Sequence, residues 1–284
     1  MSTAPDDRFL SALIDWVSGR DDVRVVIRTG SRARRDGSAD ALSDHDIELY
    51  TTNPGRYAGT DLWLRDLGIV AVNIELAGPY SNPAHLVFFT DGTKADFQIV
   101  PMSVLTELVD SGLDTLHQRG YQVLLDRDGL AAALPVPTGS APTGRFPDRP
   151  TFVALCKEFW FEAAHIPRYL ARGETWAARV RDWRTKELLG AMIEWHAIAK
   201  YGLAHDVWHS GARMRSWADP EVWQQVTGIL SLTDPLEDAR QTADLFSRLS
   251  HQVAERFGLP DPTEIARRIR PLLDRLPDIP GSGQ

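Results

Sequence analysis

The sequence predicts a chain in two parts, an α+β amino-terminal domain followed by an all-α carboxy-terminal domain. Three observations carry that prediction. Up to about residue 125, apolar residues come in short runs divided by turn signals, which is the mark of strands. From 136 to 150 the sequence VPTGSAPTGRFPDRP concentrates proline and glycine and has no apolar periodicity. Beyond it every apolar pattern is helical. The expected division is therefore a first domain at 1–135, a Pro/Gly-rich linker at 136–150 and a helical domain at 151–284.

Each element has its own local reason. Asp6 to Ser18 sets Phe9, Leu10, Leu13, Ile14 and Val17 at a helical period. Val23 to Ile27 reads as a buried strand running into Gly30, and Asp46 to Thr51 as a second strand. Asn53-Pro54 offers a cap and a first-turn proline for a helix to about Leu67. Strands are expected at Ile69 to Leu76 and His85 to Thr90. Asp91-Gly92 then signals a tight primed hairpin, because it supplies positive φ angles, with Lys94 to Val100 as the return strand. A helix follows Pro101, and Tyr121 to Leu125 is a last short strand. In the second half, helices are predicted at Thr151 to Leu170, Glu174 to Tyr201, Pro220 to Leu230, Pro235 to Phe257 and Pro262 to Leu276.

Composition excludes several classes. With 43% hydrophobic and 25% charged residues the chain is globular and not disordered. Thirty-one Lys plus Arg against 39 Asp plus Glu gives a net charge of −8, which disfavours nucleic acid and anionic membranes and suits a cationic small molecule. No basic segment precedes an apolar run at the amino terminus, and no run approaches the ~18 apolar residues of a spanning helix. No membrane partner and a cytoplasmic location are the expectations. The single cysteine, Cys156, excludes an internal disulfide and a multi-cysteine zinc cluster and reads as a small buried hydrophobe.

The chemistry concentrates in the first domain. Gly30-Ser31 at a strand end makes a small turn able to hold phosphate, and Asp44-His45-Asp46 follows. Side chains alternate along a strand, so Asp44 and Asp46 share a face, and paired carboxylates are tolerated in solvent or around a cation. Mg²⁺ takes one or two carboxylates plus substrate phosphates, which points to a metal-nucleotide site. In Lys94 to Ile99, alternation sets Asp96 and Gln98 on one face and Ala95, Phe97 and Ile99 on the other. Asp96 is thereby free to join Asp44 and Asp46. Glu48 shares their face farther along and reads as solvated or salt-bridged, His45 as a packed histidine, and Arg34 and Arg35 as solvated loop charges.

Strand, Gly-Ser, helical turn, Asp-x-Asp strand and a further strand with a carboxylate resembles the DNA polymerase β-like nucleotidyltransferases. More closely, the chain is similar to the aminoglycoside 6-adenylyltransferase (streptomycin adenylyltransferase) family. The residues that carry this are Gly30-Ser31-Arg32, Ser43-Asp44-His45-Asp46-Ile47, Asp91 to Asp96 with Ile99 and Pro101, and, in the helical half, Phe159-Trp160, Lys186-Glu187-Leu188 and Glu194-Trp195-His196. The resemblance spans roughly Asp6 to Phe257. It implies a polymerase β-like nucleotidyltransferase domain with a mixed sheet, followed by a helical-bundle domain that binds substrate. The implied reaction is Mg²⁺-dependent transfer of AMP from ATP to a hydroxyl of a streptomycin-like aminoglycoside, which releases pyrophosphate and inactivates the drug.

Residue by residue, the resemblance implies that Asp44, Asp46 and Asp96 hold Mg²⁺, two ions being expected, with Asp96 also the general base. Gly30, Ser31 and Arg32 would meet the ATP phosphates, as would Lys186 from across a cleft between the domains. Lys186 also lies four residues after Asp182, so a plain helical ion pair explains it nearly as well. Trp183, Glu187 and Glu194 fall on one helix face, fit to receive a polycationic sugar-like acceptor. Most of the nine tryptophans lie in this half; most read as core, and some as stacking on adenine or sugar. A monomer with no nucleic-acid partner is implied. The alternatives are another acceptor, such as a lincosamide, a protein hydroxyl or an RNA end, or a catalytically silent nucleotide-binding regulatory module. Asp96 argues against the last, since binding alone needs no base.

Overall fold

A computed structural model of the chain describes residues 5–78, 81–207, 211–274 and 276. The chain falls into two units, Met1–Ala141 and Pro142–Gln284. In the first unit six strands form one mixed sheet: β1 (Val23–Thr29), β2 (His45–Thr51), β3 (Val70–Ala77), β4 (Pro83–Phe89), β5 (Lys94–Pro101) and β6 (Gln122–Asp126). Their order is β3-β4-β5-β2-β1-β6. Only β2 and β5 run parallel; the other neighbours are antiparallel. Helices α1 (Pro5–Ser18), α2 (Gly30–Ala33), α3 (Met102–Ser111) and α4 (Thr115–Gln118) complete the unit.

Period-two alternation gives the sheet two different faces. On one, Val26, Ile47, Leu49, Phe97 and Ile99 pack against Phe9, Leu13, Trp16 and Val17 of α1. His45 belongs to this buried side, its ring 4.2 Å from that of Phe9, as its position between two outward carboxylates predicts. On the other face Val25, Ile27, Tyr50 and Val100 are covered by Val104, Leu105 and Leu108 of α3. That cover reaches only part of the face, and the uncovered part carries the carboxylates. One edge of the sheet is β3, where Val72, Ile74 and Leu76 remain about half exposed despite their apolar alternation.

Two expectations are corrected. The helix expected from Asn53-Pro54 to Leu67 is instead two 3-10 turns, Pro54–Tyr57 and Leu62–Asp66. Gly59 between them has φ +66, a left-handed conformation that an α-helix cannot contain. Each turn is anchored by a buried aromatic ring: Tyr57 donates to Asp22 at 2.8 Å, and Trp63 packs edge-on to Phe97 at 5.1 Å. The β4–β5 hairpin is also not of the primed two-residue type. Gly92 alone has positive φ (+90); its N–H donates to Phe89 O at 3.0 Å, and Phe89 N–H donates to Thr93 O at 2.9 Å. This is a three-residue loop closed by a left-handed glycine, tightened by Thr93 N–H donating to the Asp91 carboxylate at 3.0 Å.

The second unit is helical throughout its described residues: α5 (Arg149–Ala171), α6 (Thr175–Tyr201), α7 (Met214–Trp217), α8 (Pro220–Leu230), α9 (Pro235–Phe257) and α10 (Thr263–Leu273). Residue 275, inside the helix expected to reach Leu276, lies outside the described residues. Asp148, Asp219 and Asp234 cap α5, α8 and α9 by accepting from first-turn N–H groups, each with proline in the first turn. Phe159 of α5 stacks on Phe246 of α9 at 3.6 Å, and Trp160, Met192 and Leu249 close the core around them. Cys156 is buried in this core, which pushes its thiol up to about 12. No described helix is long and apolar enough to cross a membrane.

Of the two readings open to Glu48, solvated or salt-bridged, the structure shows the second: the residue is buried and paired with His117. Its carboxylate accepts from Tyr50 OH and from His117 Nε2, both at 2.9 Å, while His117 Nδ1 lies 2.8 Å from the Asp114 carboxylate. Burial works against charge on this imidazole, yet the hydrogen bonds to Asp114 and Glu48 outweigh it and raise it to about 9. The folded-state value exceeds the ordinary one near 6.5, so the stabilisation is complete below about pH 6.5 and lost as pH rises through about 9. The expected loss across that window is at most about 3 kcal/mol. Thermal melts of the first unit's signal should show the midpoint falling between pH 6.5 and 9.5, and falling less in His117→Gln.

Candidate active site

The site begins where β1 ends. Gly30 takes φ +67 and turns the chain into the single helical turn α2. A Cβ built on Gly30 would lie 1.7 Å from the Asp46 Oδ2 atom, so this position needs glycine twice: for its backbone angle and for the carboxylate pressed against it. Ser31 is buried beside it. The Arg32 Nε group donates to the backbone carbonyls of Ser43 at 2.9 Å and Asp44 at 3.2 Å. That clamp fixes the approach to β2. The loop before it is held by its own bonds, with Leu42 N–H donating to Asp40 and the Ser43 hydroxyl bridging Asp40.

The parallel pairing of β2 with β5 places Asp46 directly beside Asp96, and the antiparallel pairing with β1 places Asp46 beside Thr29. Asp44, one residue before β2, turns back toward both. Each of the three carboxylates offers an oxygen within 4.8 Å of the others. Asp96 Oδ1 is buried and has no hydrogen-bond partner among the described residues. Three hard oxygen donors, an orphaned carboxylate oxygen and a bare glycine turn beside them fit a hard divalent cation such as Mg²⁺.

Crowding of like charge shows in the carboxyl groups. Burial and then the neighbouring Asp44 and Asp96 charges push Asp46 up to about 6, while Lys94 and Arg34 pull it back. Burial likewise raises Asp96, against the hydrogen bond from Lys94. Arg34 is half-buried and acts on Asp46, in contrast to the solvated charge expected of it; Arg35 is exposed.

Lys94 is the site residue that sequence reasoning missed. Its Nζ donates to Asp44 Oδ2 at 2.6 Å and to Asp96 Oδ2 at 2.8 Å. The signal was present, because the alternation that brings Asp96 to this face brings Lys94 with it. Burial opposes charge on this ammonium, but its two carboxylate partners hold its pKa above the ordinary value.

The remaining candidates lie on α6. Trp183 and Glu187 are exposed, and the Glu187 carboxylate accepts from Arg184 at 2.9 Å. Glu194 is half-buried, and burial alone raises its carboxyl above the usual range. Lys186 is engaged: its Nζ lies 2.5 Å from Asp182 and 2.7 Å from Asp238 of α9, both buried carboxylates. Withdrawing that ammonium would leave two buried charges to Arg179 alone, which approaches them at 3.4 and 3.3 Å, so the ion pair that the spacing predicts extends to a second helix.

Comparison with known proteins shows the family. A family model described as streptomycin adenylyltransferase matches residues 6–276. An aminoglycoside 6-adenylyltransferase of Campylobacter jejuni is 26% identical over 243 residues, covering 82% of each chain. A second protein of that name, from Bacillus subtilis (strain 168), is 22% identical over 236 residues, 80% of this chain and 81% of the relative. The crystal structure of an aminoglycoside 6-adenyltransferase from Bacillus subtilis aligns over 93% of this chain and 97% of that chain, at 18% identity and a TM-score of 0.41. A family match running almost from end to end makes the chain a member of the streptomycin adenylyltransferase family, and so a nucleotidyltransferase.

Proposed function

We propose that this protein transfers AMP from ATP to a hydroxyl of a streptomycin-like aminoglycoside, with Mg²⁺ as cofactor, releasing pyrophosphate and inactivating the drug. The observation that carries the reading is the convergence of Asp44, Asp46 and Asp96 within 4.8 Å, with Asp96 Oδ1 buried and unbonded among the described residues. The names of the relatives support the acceptor class. Mg²⁺ held by the three carboxylates would neutralise charge on the triphosphate.

The protein's own groups divide the remaining work. Gly30 leaves the backbone bare where phosphates approach, and the Ser31 hydroxyl can donate to them. Arg32 contributes by holding the Ser43–Asp44 backbone. Asp96 takes the proton of the attacking hydroxyl as that oxygen bonds to the α-phosphorus, and the bond to pyrophosphate breaks. The cationic acceptor is assigned to α6, where Glu194 is a half-buried carboxylate that a positive group would relieve, with Trp183 and Glu187 on the same helix face. A cytoplasmic monomer without a nucleic-acid partner is consistent with a net charge of −8.

Incubation with ATP, Mg²⁺ and a panel of aminoglycosides, lincosamides and protein acceptors should yield pyrophosphate and an adenylylated aminoglycoside; product on another acceptor only would replace this reading. Asp96→Asn should lower kcat by roughly 10²–10⁴-fold, the span of a lost general base, while ATP binding measured by calorimetry persists. For Glu194→Gln, a rise in acceptor KM of about tenfold is expected, the loss of one charge-assisted contact, with KM for ATP unchanged.

A further inference from the structure

Two of the three clustered carboxylates already hold a positive charge supplied by the chain. Lys94 Nζ lies 2.6 Å from Asp44 Oδ2 and 2.8 Å from Asp96 Oδ2, so it draws together the two carboxylates that come from different elements. We propose that Lys94 is an internal counter-ion that competes with the divalent metal for Asp44 and Asp96, so that metal loading requires its ammonium to leave them. The proposal rests on the reading of the triad as a metal site.

Geometry and charge both favour the exchange. An oxygen lone pair that accepts an N–H at hydrogen-bond distance is not also available to Mg²⁺, which binds oxygens at about 2.0–2.1 Å in strict octahedral geometry. Sharing one carboxylate oxygen would bring two cations against each other. A lysine suits such a place better than an arginine. Its ammonium is a point charge on a flexible four-carbon stem, whereas a guanidinium would clasp a carboxylate with two parallel bonds. The Lys94 side chain is 30% exposed, so its head has solvent to move into. Asp96 Oδ1 lies outside the lysine's bonds and has no partner among the described residues, so that oxygen is a ligand the lysine leaves untaken.

The counter-ion has a second effect. With the ammonium present, the mutual repulsion of Asp44, Asp46 and Asp96 is offset and the site stays assembled; without it, the protein depends on the metal for that service.

The test is a titration of the full chain with Mn²⁺ alone, free Mn²⁺ being read by electron paramagnetic resonance, together with thermal melts in chelator and in saturating Mn²⁺. Lys94→Met should bind Mn²⁺ about tenfold more tightly than wild type, melt lower in chelator and gain more on adding metal. Lys94→Arg should bind Mn²⁺ at least threefold more weakly, and this arm stands even if Lys94→Met does not fold. Folded Lys94→Met with unchanged or weaker affinity, or Lys94→Arg with unchanged affinity, overturns the counter-ion role and leaves the metal reading intact. Absence of Mn²⁺ binding in wild type and both variants overturns the metal reading and this proposal with it.

Discussion

Everything at the site depends on three like charges being held closer together than water would allow. Asp44, Asp46 and Asp96 converge within 4.8 Å because one parallel strand pair, β2 on β5, sets Asp46 beside Asp96 in register. Two like charges at about 4 Å repel by roughly 4 kcal/mol at an effective dielectric near 20, before the cost of partial burial. Neighbouring features serve that convergence. Gly30 omits the side chain that would strike Asp46, Arg32 ties down the backbone that delivers Asp44, and the apolar far side of β2 and β5 locks the register against α1. A register slip of one residue would turn Asp46 into the core and His45 out, so packing and chemistry are fixed by the same choice.

Much of this was legible in the sequence, and what was not has a common cause. Alternation assigned Asp96 to one face and Phe97 to the other, and the structure agrees; alternation cannot say which strand lies alongside. The β2–β5 pairing joins residues 50 apart, from Asp46 to Asp96. For that reason the lysine two residues before Asp96 stayed unremarked, although it shares the face. Asn53-Pro54 promised a helix on local grounds, but Gly59 interrupts it from within, and Tyr57 and Trp63 are held by the distant partners Asp22 and Phe97. Asp91-Gly92 correctly signalled a hairpin but not its loop length, since only the glycine takes positive φ.

The helical unit shows the same divide between near and far. The i,i+4 pairing of Asp182 with Lys186 was visible in the spacing, but Asp238, reached 52 residues on, was not. Two buried carboxylates on different helices share one ammonium, with Arg179 approaching both at 3.4 and 3.3 Å. Such a cluster ties α6 to α9. Glu194 is a half-buried carboxylate on this helix whose carboxyl burial alone raises, so a cation beside it would favour its charged form.

A single cation bridging two carboxylates is a recurring motif among the described residues, and three such bridges sit where the carboxylates are buried or half-buried. Lys94 bridges Asp44 and Asp96, His117 bridges Glu48 and Asp114, and Lys186 bridges Asp182 and Asp238. Their surroundings differ in the respect that matters for exchange. The His117 side chain is 1% exposed and that of Lys186 11%, so displacing either cation would take charge away from carboxylates that the fold has largely closed over. At Lys94 the cation is 30% exposed and its partners 35% and 21%, open enough for a hydrated ion to arrive as the ammonium departs. The same electrostatic device therefore acts as a permanent fastening where the fold closes over it. Where the sheet face is left uncovered, it becomes a place whose counter-charge can be replaced, and that is the part of the molecule to which the proposed chemistry is assigned.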